Sequence, residues 1–386
     1  MKKILVVIGS RANYGTSKSI LSYIQESSRS SLIIVASASS VLDRFGDVSE
    51  LMEQDGFTVN YRLFNFVDGN ALVTMPKSVG MNLIDLSNIF SHEHPDIVVT
   101  IGDRFETIAT AIAAAYLNIP LAHVMGGEVS GSIDESVRHS ITKLAHLHFP
   151  ATEISATRIS KMGEDRKTIF NFGCPRIDEV KSALENPPSL EFLNQELNSL
   201  GMGSNIDLNL PFILLNYHPV TSEIDKTLDQ VKILLNAIDE LKMQVLGLWP
   251  NSDAGYEIIS QQFRIWQKQS NKKYPIRLFK NLPVRTYFHL MDLTACQVGN
   301  SSSALREGSF IGNPAVNIGS RQSGRECAGN VMFVDFSMNT IINAVKSQIN
   351  HGKYLQSTIF GDGNAGKQIA ETLLRMQVST QKKLSY

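Results

Sequence analysis

Residues 123–139 read HVMGGEVSGSIDESVRH and hold three carboxylates (Glu128, Asp134, Glu135), two histidines and one arginine among three glycines. Like charges crowded into one loop raise the pKa of at least one carboxyl, which suits general acid and base work near neutral pH. Part of this acidity has a simpler use. SIDES places Ser132 or Asp134 at a helix start, where Asp134 or Glu135 would serve as a cap or first-turn acid. Three carboxylates exceed what one cap needs, so Glu128, Asp134 and Glu135 stand together as candidate proton carriers. Asp103 in TIGDRFE (100–106) is another, at the end of an apolar run where Gly102 allows a tight turn and Arg104 and Glu106 open a helix. An N-cap explains Asp103 equally well. Met125, which carries no proton, sits among these groups.

A second set of residues suits anions. In GNSSSALREG (299–308) a glycine and three serines lead into a helix, so N–H groups and the hydroxyls of Ser301 and Ser302 converge as a phosphate cradle would require. A plain serine cap is the competing use. Glu307, about a turn and a half into that helix, is placed to accept from ribose hydroxyls. SRQSGRE (320–326) adds Arg321 and Arg325. GSRANYG (9–15) lacks the GxGxxG spacing of a dinucleotide loop, but its Arg11 could pair with a phosphate or simply sit in a surface turn. His218 in NYHPVT (216–221) is a lone histidine, a kind more often structural than functional. His139, His146 and His148 stand seven and nine residues from the first, which does not gather three imidazoles on one helical face, so no metal site is expected.

These groups fall where apolar runs end. Strand candidates are 4–9, 32–38, 57–63, 96–102, 120–124 and 168–173 in the first half, with helical patterns notably at 104–117, 134–145 and 153–162. After 185–211, rich in Pro, Gly, Asn and Asp, the pattern restarts with strands at 212–217, 244–250, 276–280, 294–300, 315–319 and 331–336 separated by helices. Continuous apolar strands alternating with helices predict parallel sheets covered on both faces. The expected plan is α/β, with an N-terminal domain (1–184), a linker (185–211), a C-terminal domain (212–364) and a terminal helix (365–386). Ligands of such folds bind outside the carboxyl ends of the strands, here in a cleft between the two domains.

Composition narrows the partners. The 386 residues are 43% hydrophobic and 19% charged with a net charge of −1, enough for a sizeable core and without the basic face that nucleic acid demands. Three widely spaced cysteines suggest neither a disulfide framework nor a zinc ribbon. MKKILVVIGSR turns from a short apolar run into a charged loop and reads as a buried strand, and no run nears the ~18 apolar residues of a membrane span. No nucleic acid and no membrane are expected as partners, and the cytoplasm is the expected location.

In order from residue 9 to 365, GSRANYG, PDIVVTIGDRFE, the block 123–146, GCPRID (173–178), NYHPVT, PNSDAG (250–255), GNSSSALREG, NIGSRQSGRE and FGDGNA (360–365) resemble one family. It is that of the hydrolysing UDP-N-acetylglucosamine 2-epimerases, in the branch serving sialic-acid-type sugars. The resemblance implies two Rossmann-like domains in a glycosyltransferase-B-like arrangement, UDP as product, a homodimer or homotetramer, and no cofactor or metal. It implies removal of the C2 proton, expulsion of UDP to leave a glycal, and addition of water with inversion at C2. By the same likeness Asp103 and Asp134 are acid/base groups with Glu128 in support, and His218 and Arg11 are diphosphate or leaving-group contacts. Ser301 and Ser302 bind phosphate, Glu307 binds ribose, Arg321 lines the anion pocket, and Arg104 sits beside Asp103. Two departures stand out. Many members place a glutamate with an acid/base role where this chain has Met125. Some have Asp-Tyr-Ser where this chain has Asn13-Tyr14-Gly15, one hydroxyl more. The likeness leaves the sugar open between UDP-N-acetylglucosamine, giving N-acetylmannosamine, and UDP-2,4-diacetamido-2,4,6-trideoxyglucose of legionaminic-type pathways. A UDP-sugar glycosyltransferase, or a binder without turnover, are the readings from other classes.

Overall fold

The apolar runs become strands because helices cover both faces of each sheet. The computed structural model describes the chain except for residues 44–46, 68–72, 131–132, 252–254, 270–273, 281, 384 and 386. Two compact units result, one of residues 1–179 with 360–386 and one of residues 180–359.

The first unit runs β1 (Lys2–Ile8), α1 (Arg11–Glu26), β2 (Ser30–Ser37), α2 (Val48–Gln54), β3 (Tyr61–Leu63), α3 (Thr74–Glu93), β4 (Ile97–Ile101), α4 (Thr107–Tyr116), β5 (Leu121–Val124), α5 (Ile133–Leu144), β6 (Leu147–Phe149) and α6 (Glu153–Lys161). Its sheet is parallel in the order β3-β2-β1-β4-β5-β6. This is the doubly wound order whose direction reverses between β1 and β4, the place where such sheets receive ligands. Leu5, Val7, Val98 and Leu121 from the strands meet Phe90, Ala113 and Ile141 from the helices in one apolar layer.

After α7 (Arg176–Glu185) come α8 (Leu190–Ser199), β7 (Met202–Gly203), β8 (Phe212–Asn216), α9 (Thr227–Leu241), β9 (Gln244–Leu248), α10 (Tyr256–Lys268), β10 (Ile276–Phe279), α11 (Val284–Leu293), β11 (Cys296–Gly299), α12 (Ser302–Leu305), α13 (Glu307–Ile311), β12 (Ala315–Ile318), β13 (Val331–Val334) and α14 (Met338–His351). The sheet order is β13-β12-β11-β8-β9-β10-β7, parallel except where β7 pairs antiparallel with β10. Its reversal lies between β8 and β11. Residues 185–211, expected as a linker, carry α8 and the edge strand β7 and belong to this second unit.

The chain then returns to the first unit as α15 (Ala365–Arg375), which packs on α1. The Asp178 carboxylate accepts the Ala365 and Gly366 N–H groups at 3.0 and 2.7 Å and so caps α15. Beyond α15, Lys382 donates to the carbonyls of Thr142, Lys143 and Ala145 at the end of α5 and to Glu164 at 2.7 Å. Burial alone would raise the Glu164 carboxyl, but bonds from His148, Lys143 and Lys382 hold it down at about 2.

Two expected elements differ. The run 168–173 is not a strand: it touches the sheet through one bridge, Ile169 to His148. Its aromatics are spent in stacking instead, Phe170 and Phe172 lying 5.9 and 6.3 Å from Phe149. GSRANYG is not only a loop, since α1 begins at Arg11 with Ser10 as its cap.

Candidate active site

At the reversal of the first sheet, β1 ends in Gly9-Ser10 and β4 in Gly102-Asp103. Asn13, almost fully buried, joins the two ends. Its Nδ2 donates to the Ile101 carbonyl at 2.9 Å, and its Oδ1 accepts from Gly9 N–H and the Ser10 hydroxyl at 3.3 and 3.1 Å. From the neighbouring strand β5, the buried His123 donates through Nε2 to the Gly102 carbonyl at 2.9 Å. Burial pushes its pKa down to about 3, so it is neutral and serves to fix the turn that carries Asp103.

Arg138 on α5 gathers the acidic segments. Only 1% of it is exposed. Its Nη2 pairs with Oδ2 of Asp103, its Nη1 donates to the Glu128 carbonyl at 2.7 Å, and Nη2 also reaches the Ser130 hydroxyl at 3.3 Å. The turn after β4, the loop after β5 and α5 therefore hang from one guanidinium. A buried charge is tolerable only when paired and hydrogen-bonded, so this geometry is enforced. Asp134 lies one turn before Arg138 in the first turn of α5, half-buried like Glu128. Glu135 Oε2 accepts the Ser130 N–H at 2.7 Å, and Arg158 donates to the Gly127 carbonyl, tying the loop down further. Met125 is buried with φ 69°, a left-handed backbone uncommon for a residue with a side chain. Its N–H is held by the Phe149 carbonyl at 2.9 Å. Ser132, the other proposed cap, lies outside the described residues.

The flanking cations are placed differently from one another. Arg104 turns to Glu106, its Nε donating to Oε1 at 2.8 Å. α4 starts only at Thr107, so Arg104 and Glu106 precede the helix instead of opening it. Arg11 is the first residue of α1, half-buried, and burial together with the nearby Arg176 lowers its pKa.

The second unit shows a parallel construction. The fully buried Asn300 accepts the His218 N–H with Oδ1 at 2.7 Å and donates Nδ2 to the His218 carbonyl at 2.8 Å, joining the ends of β8 and β11. His218 Nδ1 accepts the Asn251 backbone N–H at 3.0 Å. A backbone N–H can only donate, so the proton of the neutral ring sits on Nε2. Burial, then the Arg321 charge, pushes the His218 pKa down to about 3, leaving a neutral hydrogen-bond donor. Arg321 Nη1 and Gln322 Nε2 both donate to the Asn300 carbonyl, at 3.2 and 2.9 Å. Residues 252–254 of PNSDAG lie outside the described residues.

The serine loop is more divided than its sequence suggests. Ser301 caps α12, accepting the Ser303 N–H at 3.3 Å, and its hydroxyl meets that of Ser303 at 2.9 Å. Ser303 in turn bonds Tyr287, whose hydroxyl burial pushes up to about 12. Ser302 stays half-buried at the first position of α12. The helix breaks at Arg306 (φ −96°, ψ −73°), so Glu307 opens α13 instead of sitting inside one continuous helix.

Sequence reasoning missed Arg138 as the hub, and Asn13, His123 and Asn300 as ties. Arg138 had a signal: it shares a helical face with Ile141 and Ala145, which are buried. Asn300 and His123 had none, because their bonds reach far along the chain, and the Asn13 bonds to Gly9 and Ser10 give no sign of its tie to Ile101.

Comparison with known proteins gives the family. A family model described as UDP-N-acetylglucosamine 2-epimerase matches residues 22–374. The UDP-N,N'-diacetylbacillosamine 2-epimerase (hydrolyzing) of Legionella pneumophila is 31% identical over 99% of this chain and 98% of its own. The UDP-N-acetylglucosamine 2-epimerase of Neisseria meningitidis serogroup B is 28% identical over 94% of this chain and 92% of its own. The crystal structure of the Neisseria meningitidis UDP-GlcNAc 2-epimerase bound to UDP-GlcNAc has the same fold, with TM-score 0.81 at 18% identity over 97% of this chain and all of that one. The chain belongs to the UDP-N-acetylglucosamine 2-epimerase family, among its hydrolysing enzymes, with the two Rossmann-like domains of the glycosyltransferase-B fold class.

Proposed function

We propose that this enzyme hydrolyses and epimerises UDP-N-acetylglucosamine, releasing UDP and N-acetylmannosamine for sialic-acid-type sugars. The observation that carries the reading is the attachment of Asp103, the Glu128 loop and the Asp134 helix to the single buried guanidinium of Arg138. The C2 hydrogen is weakly acidic, and its removal needs a carboxylate fixed in place. Asp103, ion-paired and able to accept, is the base. Asp134 and Glu128 are the half-buried groups that return a proton when water adds to the glycal. Met125 takes no part in proton transfer.

The nucleotide falls to the second unit. His218 donates from Nε2 to an oxygen of the leaving UDP, where developing negative charge strengthens the bond. Ser302 and the cap of α12 take phosphate with Ser301, Glu307 takes the ribose, and Arg321 adds charge. Arg11 and Arg104 are the first unit's contacts to the anionic substrate.

Incubation with UDP-N-acetylglucosamine in deuterated water tests the reading. UDP, N-acetylmannosamine and deuterium at C2 are expected, with turnover reduced about 10²–10⁴-fold in Asp103→Asn, the usual worth of a general base. UDP release that requires an added acceptor, with no deuterium at C2, would make the protein a glycosyltransferase instead. A second reading keeps the reaction and takes UDP-2,4-diacetamido-2,4,6-trideoxyglucose, which is UDP-N,N'-diacetylbacillosamine. The likeness to the Legionella enzyme along nearly the whole chain favours it. Turnover of this sugar without turnover of UDP-N-acetylglucosamine would select it.

A further inference from the structure

Arg138 is a charged tie between α5 and Asp103, and a neutral one lies a turn further along the same helix. Asp134, Arg138 and Thr142 stand at steps of four on α5 and so fall on one stripe of it. Thr142 is fully buried. Its hydroxyl lies 3.1 Å from Nδ1 of His123 and 3.0 Å from the Arg138 carbonyl. His123 is fully buried as well, and its Nε2 reaches the Gly102 carbonyl at 2.9 Å.

The direction of each bond in this chain is fixed. A carbonyl only accepts, so the neutral ring keeps its one proton on Nε2 and Nδ1 is bare. Nδ1 therefore accepts, and the Thr142 hydroxyl donates to it. The Arg138 carbonyl does not need that proton, because the helix offers it the Thr142 N–H. Without the hydroxyl, Nδ1 would be a buried acceptor with no other partner among the described residues. A glycine keeps room for the pair. The backbone of Gly126 is not left-handed, yet a Cβ there would stand 2.9 Å from Nδ1 and 3.1 Å from the Thr142 hydroxyl. At the other end of the chain Gly102 immediately precedes Asp103. Both of its polar backbone groups end on β5, the N–H on the Val124 carbonyl at 2.9 Å and the carbonyl on His123.

We propose that Thr142 is a positioning residue for Asp103, acting through His123 and the Gly102 carbonyl, so that α5 holds this residue by its backbone as well as, through Arg138, by its carboxylate. One hold fixes a point, and two fix a direction. The same stripe of α5 carries Asp134, so one helix sets the spacing of both proton carriers. The inference deepens the function proposed above and rests on it for the roles of the two carboxylates.

Thr142→Val keeps the size of the side chain and removes its hydroxyl. With UDP-N-acetylglucosamine, or its diacetamido counterpart if that is the sugar turned over, kcat and deuterium entry at C2 fall by about 10–100-fold, the cost of a small displacement of the base, while KM changes little. Thr142→Ser restores the hydroxyl and most of kcat. Nitrogen NMR of the histidine rings gives a readout apart from activity. In Thr142→Val the Nδ1 resonance of His123 moves to that of a bare nitrogen without a hydrogen bond, and the proton stays on Nε2. Unchanged kcat in Thr142→Val overturns the proposal. So does an equal fall in Thr142→Ser and Thr142→Val with the Nδ1 resonance unmoved, which leaves Thr142 as packing. Melting temperatures keep the two readings apart. Losses in Thr142→Val and Asp103→Asn that are less than additive, in a protein that places no deuterium in either UDP-sugar, sustain the tie and remove the epimerase reading alone. Additive losses in such a protein overturn both.

Discussion

At the reversal of the first sheet the acidic loop hangs from a buried guanidinium, whereas at that of the second the strand ends are held by the Asn300 side-chain amide, and Arg321 and Gln322 bind its backbone carbonyl. Arg138 holds the turn after β4, the loop after β5 and α5 in the first unit. Asn300 holds the ends of β8 and β11 in the second, accepting and donating with one amide. Both units also use an asparagine to bridge their central strand ends, Asn13 being the first unit's counterpart of Asn300. The buried charge in the first unit is the one that holds its carboxylate-bearing segments together. On the proposed function, a phosphate reaching the second unit brings its own charge and finds donors already oriented.

The largest effect expected from breaking this contrast is at Arg138. Arg138→Met leaves Asp103 without its partner and frees the Glu128 loop. Turnover should fall at least as far as in Asp103→Asn, and unfolding in denaturant should show a loss of about 3–5 kcal/mol, the cost of breaking a buried ion pair. Retained turnover would mean that the charge is not what organises the first unit. The matched pair Asn13→Ala and Asn300→Ala comes next. Each leaves a buried N–H and C=O unpaired and should cost about 1–3 kcal/mol. Asn300→Ala should weaken UDP binding as well, and Asn13→Ala should lower turnover with UDP binding kept. The same defect in both variants would erase the distinction between the two reversals.

Acid gives the smallest effect near neutral pH and separates the units without mutation. His123 and His218 are both pushed down to about 3 in the fold, against about 6.5 unfolded. A depressed folded pKa contributes stability that is present above the unfolded value and lost as pH falls through the folded one, here from 6.5 toward 3. The first unit adds Glu164, whose contribution is lost from about 4.5 toward 2, a larger shift than that of Glu223 in the second, which Ser320 and Gln230 hold below its ordinary value. Both tryptophans, Trp249 and Trp266, lie in the second unit. On acidification, far-UV circular dichroism should therefore begin to fall before tryptophan fluorescence changes. Coincident curves would show that the two units lose stability together.

The strands were legible because a sheet covered on both faces leaves long apolar runs, as in ILVVIG and DIVVTIG. The run TIFNFG carries the same composition and is no strand, because Phe170 and Phe172 bury themselves by stacking on Phe149. α1 was hidden by Asn13, Tyr14 and Gly15, poor helix formers kept for contacts made elsewhere in the unit. In the site, chemistry-bearing types at strand ends could be read locally, as with Asp103, Asp134 and His218. Their supports could not. An arginine on an amphipathic helix looks like a solvated residue until its face is counted, and an asparagine gives no local sign of a partner 88 residues away.

The first unit is closed by residues that follow the second in sequence: α15 lies on α1 under the cap of Asp178, and Lys382 sits in the carbonyls that end α5. On the ribosome, the second unit, an unbroken stretch from 180 to 359, can finish first although it is made second. The helix that carries Arg138 waits for residue 382. Until then the acidic loop lacks its final support, so a nascent chain passes through a stage with a complete second unit and an unfinished first one. Removing the segment that carries Lys382 would take its ammonium from those carbonyls, and the effect would appear at residues some 240 positions away.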